Sequence, residues 1–247
     1  MNPFYRLNNF FFQRKKEIYD KTSKKKILSL LPELEDFMRI NNAIGAGYGD
    51  YLELYNYIIT KKPNYILECG GGISTFVIAK ALEKISFNTS ETYLVVTMEE
   101  ILEFHEQLKH NFPDDLKKFV NFVHSERVEK KYMFYCGVGY KNIPKYEYEF
   151  IFIDGPDHFS PVDNIKKFNF DLISAIQISS KSINGIIDTR LGTSYCYQNI
   201  FGREKIKYDP IKKLGLIHNV SKKDLILNWE KKNFNLSKGN IDFKLNN

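Results

Sequence analysis

Apolar positions follow two periods along the chain, and their alternation predicts the architecture. Ile27, Leu30, Leu31, Leu34, Phe37 and Met38 recur at helical spacing, as do Leu52, Leu54, Tyr55, Ile58 and Ile59 up to a stop near Pro63. The glycine-rich stretch Gly45-Ala46-Gly47-Tyr48-Gly49 between them reads as a hinge, and the helical segment before it as a lid. From Tyr65 the character changes. Tyr65-Ile66-Leu67 is a short strand, and a helical pattern runs from Ile73 to about Ile85. Strands follow at Thr92–Thr97, Phe119–His124, Glu149–Ile153 and Ile183–Ile187, with helices expected over Glu99–His110 and Pro161–Ser180. Strands alternating with helices predict an α/β fold whose parallel sheet is covered on both faces. The closely spaced runs Ile206–Tyr208 and Leu216–Val220 suit an antiparallel hairpin at its end.

Residues 1–44 form a basic, partly helical extension, 45–222 the main domain and 223–247 a Lys- and Asn-rich tail. Arg14-Lys15-Lys16 and Lys24-Lys25-Lys26 give the extension its charge, which reads first as a solvated face and second as a grip on phosphates. The whole chain of 247 residues is 43% hydrophobic and 27% charged, enough for a packed core and against wholesale disorder. Its net charge of +6 is too weak to argue for nucleic acid. Cys69, Cys136 and Cys196 form no CxxC pair, so a reducing cytoplasm is expected rather than a disulfide framework. No apolar stretch is long enough to span a bilayer, and no export signal stands at the N-terminus.

The turn after the first strand, Glu68-Cys69-Gly70-Gly71-Gly72, opens directly into Ile73-Ser74-Thr75. Gly70 and Gly72 remove side chains where backbone must turn and a ligand approach, and the helix start aims N–H groups at the same place. A dinucleotide fingerprint wants Gly or Ala where Thr75 stands. Glu68 beside the turn would repel a pyrophosphate and attract a ligand carrying an ammonium and a sulfonium. Glu99, ending the second strand, can accept both hydroxyls of a ribose, or simply open a helix. The fourth strand runs into Asp154-Gly155-Pro156-Asp157-His158, polar groups at the strand end where open parallel sheets bind ligands.

Together Glu68-x-Gly70-x-Gly72-x-Ser74-Thr75, the strand-two acid and Phe152-Ile153-Asp154-Gly155-Pro156-Asp157-His158 resemble the class I S-adenosylmethionine-dependent methyltransferases, in the branch with ExGxGxST and FIDGxH signatures. The resemblance covers roughly residues 45 to 190. It implies a Rossmann-like, mostly parallel seven-stranded sheet with a C-terminal antiparallel hairpin. It also implies that Glu68, Gly70, Gly72, Ser74 and Thr75 hold the methionine end of S-adenosylmethionine, and that Glu99 holds the ribose. Ser125 and Glu126 would flank adenine, and Asp154 would lie near the transferred methyl.

His158 is the natural base for the acceptor's proton, with loop capping as its plain alternative. Asp154 and Asp188, at adjacent strand ends, are a tentative site for Mg²⁺ or another divalent cation, although Thr189 departs from the pattern of metal-dependent O-methyltransferases. Arg190 could anchor an anionic acceptor or pair with Asp188 or Asp157. The helix around His105 and His110 turns the two imidazoles apart and does not chelate. Cys69, His124 and His218 read as packing residues. Aromatics between Ser125 and Glu147, read as a loop, offer stacking surface to an acceptor.

The expected activity is methyl transfer to a small molecule, on oxygen of a sugar or hydroxylated metabolite. A nicotinamide-dependent oxidoreductase and a non-catalytic cofactor-binding module are the alternatives. A small-molecule acceptor and a homodimer are the partners expected, without nucleic acid and without a membrane span.

Overall fold

A computed structural model describes residues 3–41, 46–87 and 89–225, so Gly45 of the expected hinge and most of the tail lie outside the described residues. The chain opens with three helices, α1 (Pro3–Leu30), α2 (Leu34–Asn41) and α3 (Tyr48–Lys61). Strand β1 (Tyr65–Cys69), helix α4 (Ile73–Ser86), β2 (Leu94–Glu99), α5 (Leu102–Asn111) and β3 (Val120–His124) follow. Next come β4 (Arg127–Tyr132), β5 (Tyr135–Tyr140), β6 (Phe150–Ile153), β7 (Phe168–Asn169) and α6 (Asp171–Ile178). The last elements are β8 (Ile183–Asp188), α7 (Leu191–Phe201), β9 (Ile206–Asp209) and β10 (Leu214–Val220).

The main sheet has seven strands in the order β3-β2-β1-β6-β8-β10-β9. Neighbours from β3 to β8 pair in parallel, and β10 runs antiparallel to both β8 and β9. This is the expected mostly parallel sheet with its antiparallel hairpin. The apolar strands are buried on both faces, as parallel sheets require. Ile66, Val95, Phe150, Phe152 and Ile186 meet α1–α5 on one face. Leu67, Val96, Ile151, Ile153 and Ile187 meet α6 and α7 on the other.

The expected basic, partly helical extension is helical throughout residues 3–30, with Pro32 following the helix's end. Among its described side chains, Tyr19, Ser23 and Ile27 pack inward, joined by Leu28 against the core and by Lys24, which reaches Glu35 and the Tyr48 ring. Gly49 is part of α3 rather than a hinge, and a Cβ there would lie 2.4 Å from the Tyr19 ring. The expected helix over 161–180 shrinks to α6, because Phe168–Asn169 pairs with β5 and Lys167 is drawn into an ion cluster with Glu129 and Asp163. The 125–147 segment is not a loop but mainly the hairpin β4–β5, which with β7 makes a second, three-stranded sheet. Among the described residues, no helix is long and apolar enough to cross a membrane.

Candidate functional site

Strand alternation selects the face on which the chemistry gathers. On β1 the side chain two residues after Ile66 is Glu68; on β6 the one after Phe150 and Phe152 is Asp154; on β8 the one after Ile186 is Asp188. Register sets Glu68 opposite Thr97 and Phe152, and Ile153 opposite Cys69 and Ile187. The three acids therefore stand at adjacent carboxyl ends, on the α3–α4 face. That is the crevice in which open α/β sheets hold ligands.

Two glycines shape the bend between β1 and α4 in different ways. Gly70 has φ +97°, and a Cβ on it would lie 2.6 Å from the Gly155 amide nitrogen; one on Gly155 would lie equally close to Gly70 Cα. The β1 and β6 turns thus touch backbone to backbone. Gly72 is extended, and a Cβ there would meet nothing within 4 Å. Gly70 is demanded by packing, whereas Gly72 borders open space. The amides of Gly70 and Gly71 both donate to the Met98 carbonyl, tying the bend to the end of β2.

Glu68 is fully buried beneath that bend. Its Oε2 accepts the hydroxyls of Thr75 and Thr97, each at 2.7 Å, and the Thr75 hydroxyl in turn accepts the Gly72 amide at 3.0 Å. Its Oε1 is buried with no partner. Burial pushes the carboxyl up to about 7, against the pull of the Ser74, Thr75 and Thr97 hydroxyls. The sequence expectation of a charge abutting the bend becomes a desolvated carboxyl under it.

Asp188, 6% exposed, is pushed up to about 8 by burial and by the nearby carboxylates of Asp154 and Asp50, and it hydrogen-bonds Asp154. Burial also raises Asp154, while the Arg190 guanidinium and the Asp188 hydrogen bond hold it down. Two such carboxyls share one proton, with Asp188 holding it and Asp154 accepting. Asp188 Oδ1 has no partner. Among the described residues, no group of three or more His, Cys, Asp or Glu side chains is arranged to hold a metal ion.

Helix α3 adds two residues that sequence reasoning missed. Asp50 is raised to about 6 by burial, although it accepts the Gly47 amide at 2.7 Å. Tyr51, 1% exposed, has an unpartnered hydroxyl raised by burial and by Asp154, Asp50, Asp188 and Glu68. The one sequence signal for Asp50 is its spacing from Gly47, which reads as an ordinary helix start.

The remaining expected residues sit around this centre. Glu99 ends β2, accepts the Ile101 amide at 2.8 Å and is raised by burial. Ser125 is buried, donates its amide to the Glu99 carbonyl and accepts the Asn142 amide, whereas Glu126 is exposed and paired with Lys141. Ser74 is buried in the first turn of α4. His158 is half-buried against Phe159, and burial with Lys166 and Arg190 lowers it. Arg190 is not turned outward to an acceptor: it donates to the backbone carbonyls of Pro156 and Asp154. Asp157 pairs instead with Arg127, which also reaches Glu100 and so links the loops after β2 and β6. Beneath the Gly155 turn, Asn169 donates to the Gly155 carbonyl and to Asp171, both buried.

No family model matches this sequence, and no curated protein does. Solved structures match it instead. The cofactor-bound protein Rv0187 from MTB is 13% identical over 81% of this chain and 96% of that chain, with a TM-score of 0.51. The chain shares that fold. A methyltransferase from Geobacter sulfurreducens is 15% identical over 76% of this chain and 88% of that one, with a TM-score of 0.49. An O-methyltransferase from Bacillus cereus in complex with SAH is 17% identical over 87% and 86%, with a TM-score of 0.47. At 13% identity the likeness to Rv0187 speaks for the fold alone, and the chemistry must be argued from the side chains above.

Proposed function

We propose that this chain is an S-adenosylmethionine-dependent methyltransferase acting on a hydroxyl oxygen of a small molecule, a sugar or similar hydroxylated metabolite. One observation carries the reading. Glu68 Oε1, Asp188 Oδ1 and the Tyr51 hydroxyl are buried without partners near the bend whose Gly72 faces open space. Unsatisfied buried acceptors cost stability unless a ligand supplies donors, and an ammonium group supplies three. The residues therefore fit a cationic aminoacyl nucleoside and suit a pyrophosphate badly, which also disfavours a nicotinamide cofactor.

The bound cofactor would supply an electrophilic methyl on sulfonium. Glu68 and the Gly70–Gly72 bend would hold its amino-acid end, with Ser74 and Thr75 fixing the Glu68 carboxyl. Glu99 would take the ribose hydroxyls, and Ser125 would border the base. The acceptor must lose a proton as its oxygen attacks. His158, lowered by burial and by Lys166 and Arg190, would take that proton; Asp154, raised by burial against the pull of Arg190 and of the Asp188 hydrogen bond, would orient the acceptor. A divalent cation on Asp154 and Asp188 would have to displace their shared proton.

Thermal shift with S-adenosylmethionine, S-adenosylhomocysteine and NAD tests the reading, since ligands that bind only the native state raise its melting temperature. Stabilisation by the two sulfur nucleosides alone is expected. A response to NAD alone, or to none of the three, overturns it. Binding without turnover against a panel of hydroxylated acceptors would identify a non-catalytic module. Turnover abolished by a chelator and restored by Mg²⁺ would assign the acid pair to a metal.

A further inference from the structure

Helix α1 has a second face that the fold does not use. Its inner stripe packs on α3, where the Tyr19 hydroxyl donates to the Gly49 carbonyl at 3.2 Å and to Glu53 at 2.9 Å, and where Ile27 is fully buried. At about 100° per residue the opposite side of the helix is centred on Phe11 and Ile18, seven residues and roughly 20° apart. Phe10, Phe11 and Ile18 are 60%, 52% and 58% exposed; the Phe10 and Phe11 rings meet edge to face at 6.1 Å, and Ile18 lies about two turns further along.

The same side carries Arg14, Lys15, Lys21 and Lys25, all exposed. Lys16 and Lys24, nearer the packed side, are paired with Asp20 and Glu35. Among the described residues, none of the four outward cations has an ion pair. Glu17, also exposed, lies about 20° round the helix from Phe10, between Arg14 and Lys21, so the surface carries four cations against one acid. The outward surface is therefore cationic and apolar at once, over several helical turns.

We propose that α1 is a docking surface for an anionic phospholipid bilayer, with its axis lying in the membrane plane. Charge complementarity selects the lipid headgroups, and the exposed apolar residues select a partner with hydrocarbon just beneath its charge. Phe10, Phe11 and Ile18 enter the boundary between headgroups and acyl chains, while the lysines on either side lay their stems along it and keep their ammonium groups at the phosphates. A nucleic acid would satisfy the cations and could stack on Phe10 or Phe11, but it offers nothing to Ile18, about two turns further along. Because α1 packs on α3, which carries Asp50 and Tyr51, docking would hold the carboxyl cluster one helix away from the lipid.

The test is co-sedimentation of the full chain with phosphatidylcholine vesicles, with and without phosphatidylserine. Binding only to the anionic vesicles, released by added salt, is expected. Lys15→Glu, Lys21→Glu and Lys25→Glu together should lower partitioning by about 100-fold or more. Phe11→Ser with Ile18→Ser should lower it by about 10-fold with every charge in place. Failure to bind phosphatidylserine vesicles, equal binding to neutral ones, or indifference to both sets of substitutions overturns the proposal. So does preferential capture of an RNA homopolymer through the same lysines, without dependence on Phe11 and Ile18. Thermal shift by S-adenosylhomocysteine, read on the same variants, should be unchanged, which keeps this surface separable from the methyltransferase reading.

Discussion

Replacing Glu68 by Gln tests whether the buried carboxyl is a burden on the unliganded fold that only a ligand relieves. The carbonyl oxygen of the introduced side chain can accept the Thr75 and Thr97 hydroxyls as Oε2 does, and its NH₂ group would occupy the place of the unpartnered Oε1. Shape and hydrogen bonds are thus kept, and the charge alone is removed. Burial raises the native carboxyl from an ordinary 4.5 to about 7, so the native state keeps a proton that the unfolded chain releases. Stability then falls as pH rises between those two values, and above them the ionised form carries a penalty of about 3 kcal/mol. Glu68→Gln should raise the melting temperature of the ligand-free protein at about pH 8 by roughly 5–10 °C. At about pH 4, where both states hold the proton, it should change little. Differential scanning fluorimetry across that range reads the effect, and the same plates with S-adenosylhomocysteine should show the ligand's stabilisation weakened. A variant no more stable than the parent at the higher pH would refute the desolvation argument, because a charge that costs nothing is not buried unpaired.

Three further substitutions test the same geometry. Gly70→Ala drives a Cβ into the Gly155 backbone at a positive φ and should cost roughly 2–4 kcal/mol of stability in urea titrations. Gly72→Ala, extended and facing open space, should leave the ligand-free midpoint unchanged yet weaken S-adenosylhomocysteine by at least about 10-fold in calorimetry. Equal effects of the two substitutions on stability would remove the distinction between packing glycine and cradle glycine. Asp188→Asn preserves a donor to the Asp154 carboxylate but has no proton to lose. The parent's melting temperature should decline as pH rises towards about 8, where the raised Asp188 ionises, and the variant's should decline less. Parallel pH profiles would show that the acid pair does not share a proton.

The candidate site was partly legible because some of its parts are local. A bend of three glycines between an apolar run and a helix is written in consecutive letters, and so are Asp154 after Phe150–Ile153 and Asp188 after Ile183–Ile187. Their common face follows from the two-residue period of a strand. The 161–170 segment misled, since its apolar residues fit a helix until Phe168 and Asn169 found β5 as a partner. Arg190 misled too: a free guanidinium after a strand looks like an anion anchor, whereas the nearest unsatisfied acceptors were two backbone carbonyls of the neighbouring turn.

The sequence by itself determined the five parallel strands of the main sheet, the reversed hairpin at its end, and the placing of acids and glycines at the strand ends. Those features depend on period and on neighbours a few residues away. Tertiary structure alone decided that Asp50 and Tyr51 of α3 close over Asp154 and Asp188, that Glu68 lies under its bend rather than beside it, and that α1 turns a basic, apolar side away from the domain. The reason is electrostatic as well as geometric. Burial and the approach of like charges set the protonation of each carboxyl, and both depend on which distant segments pack together.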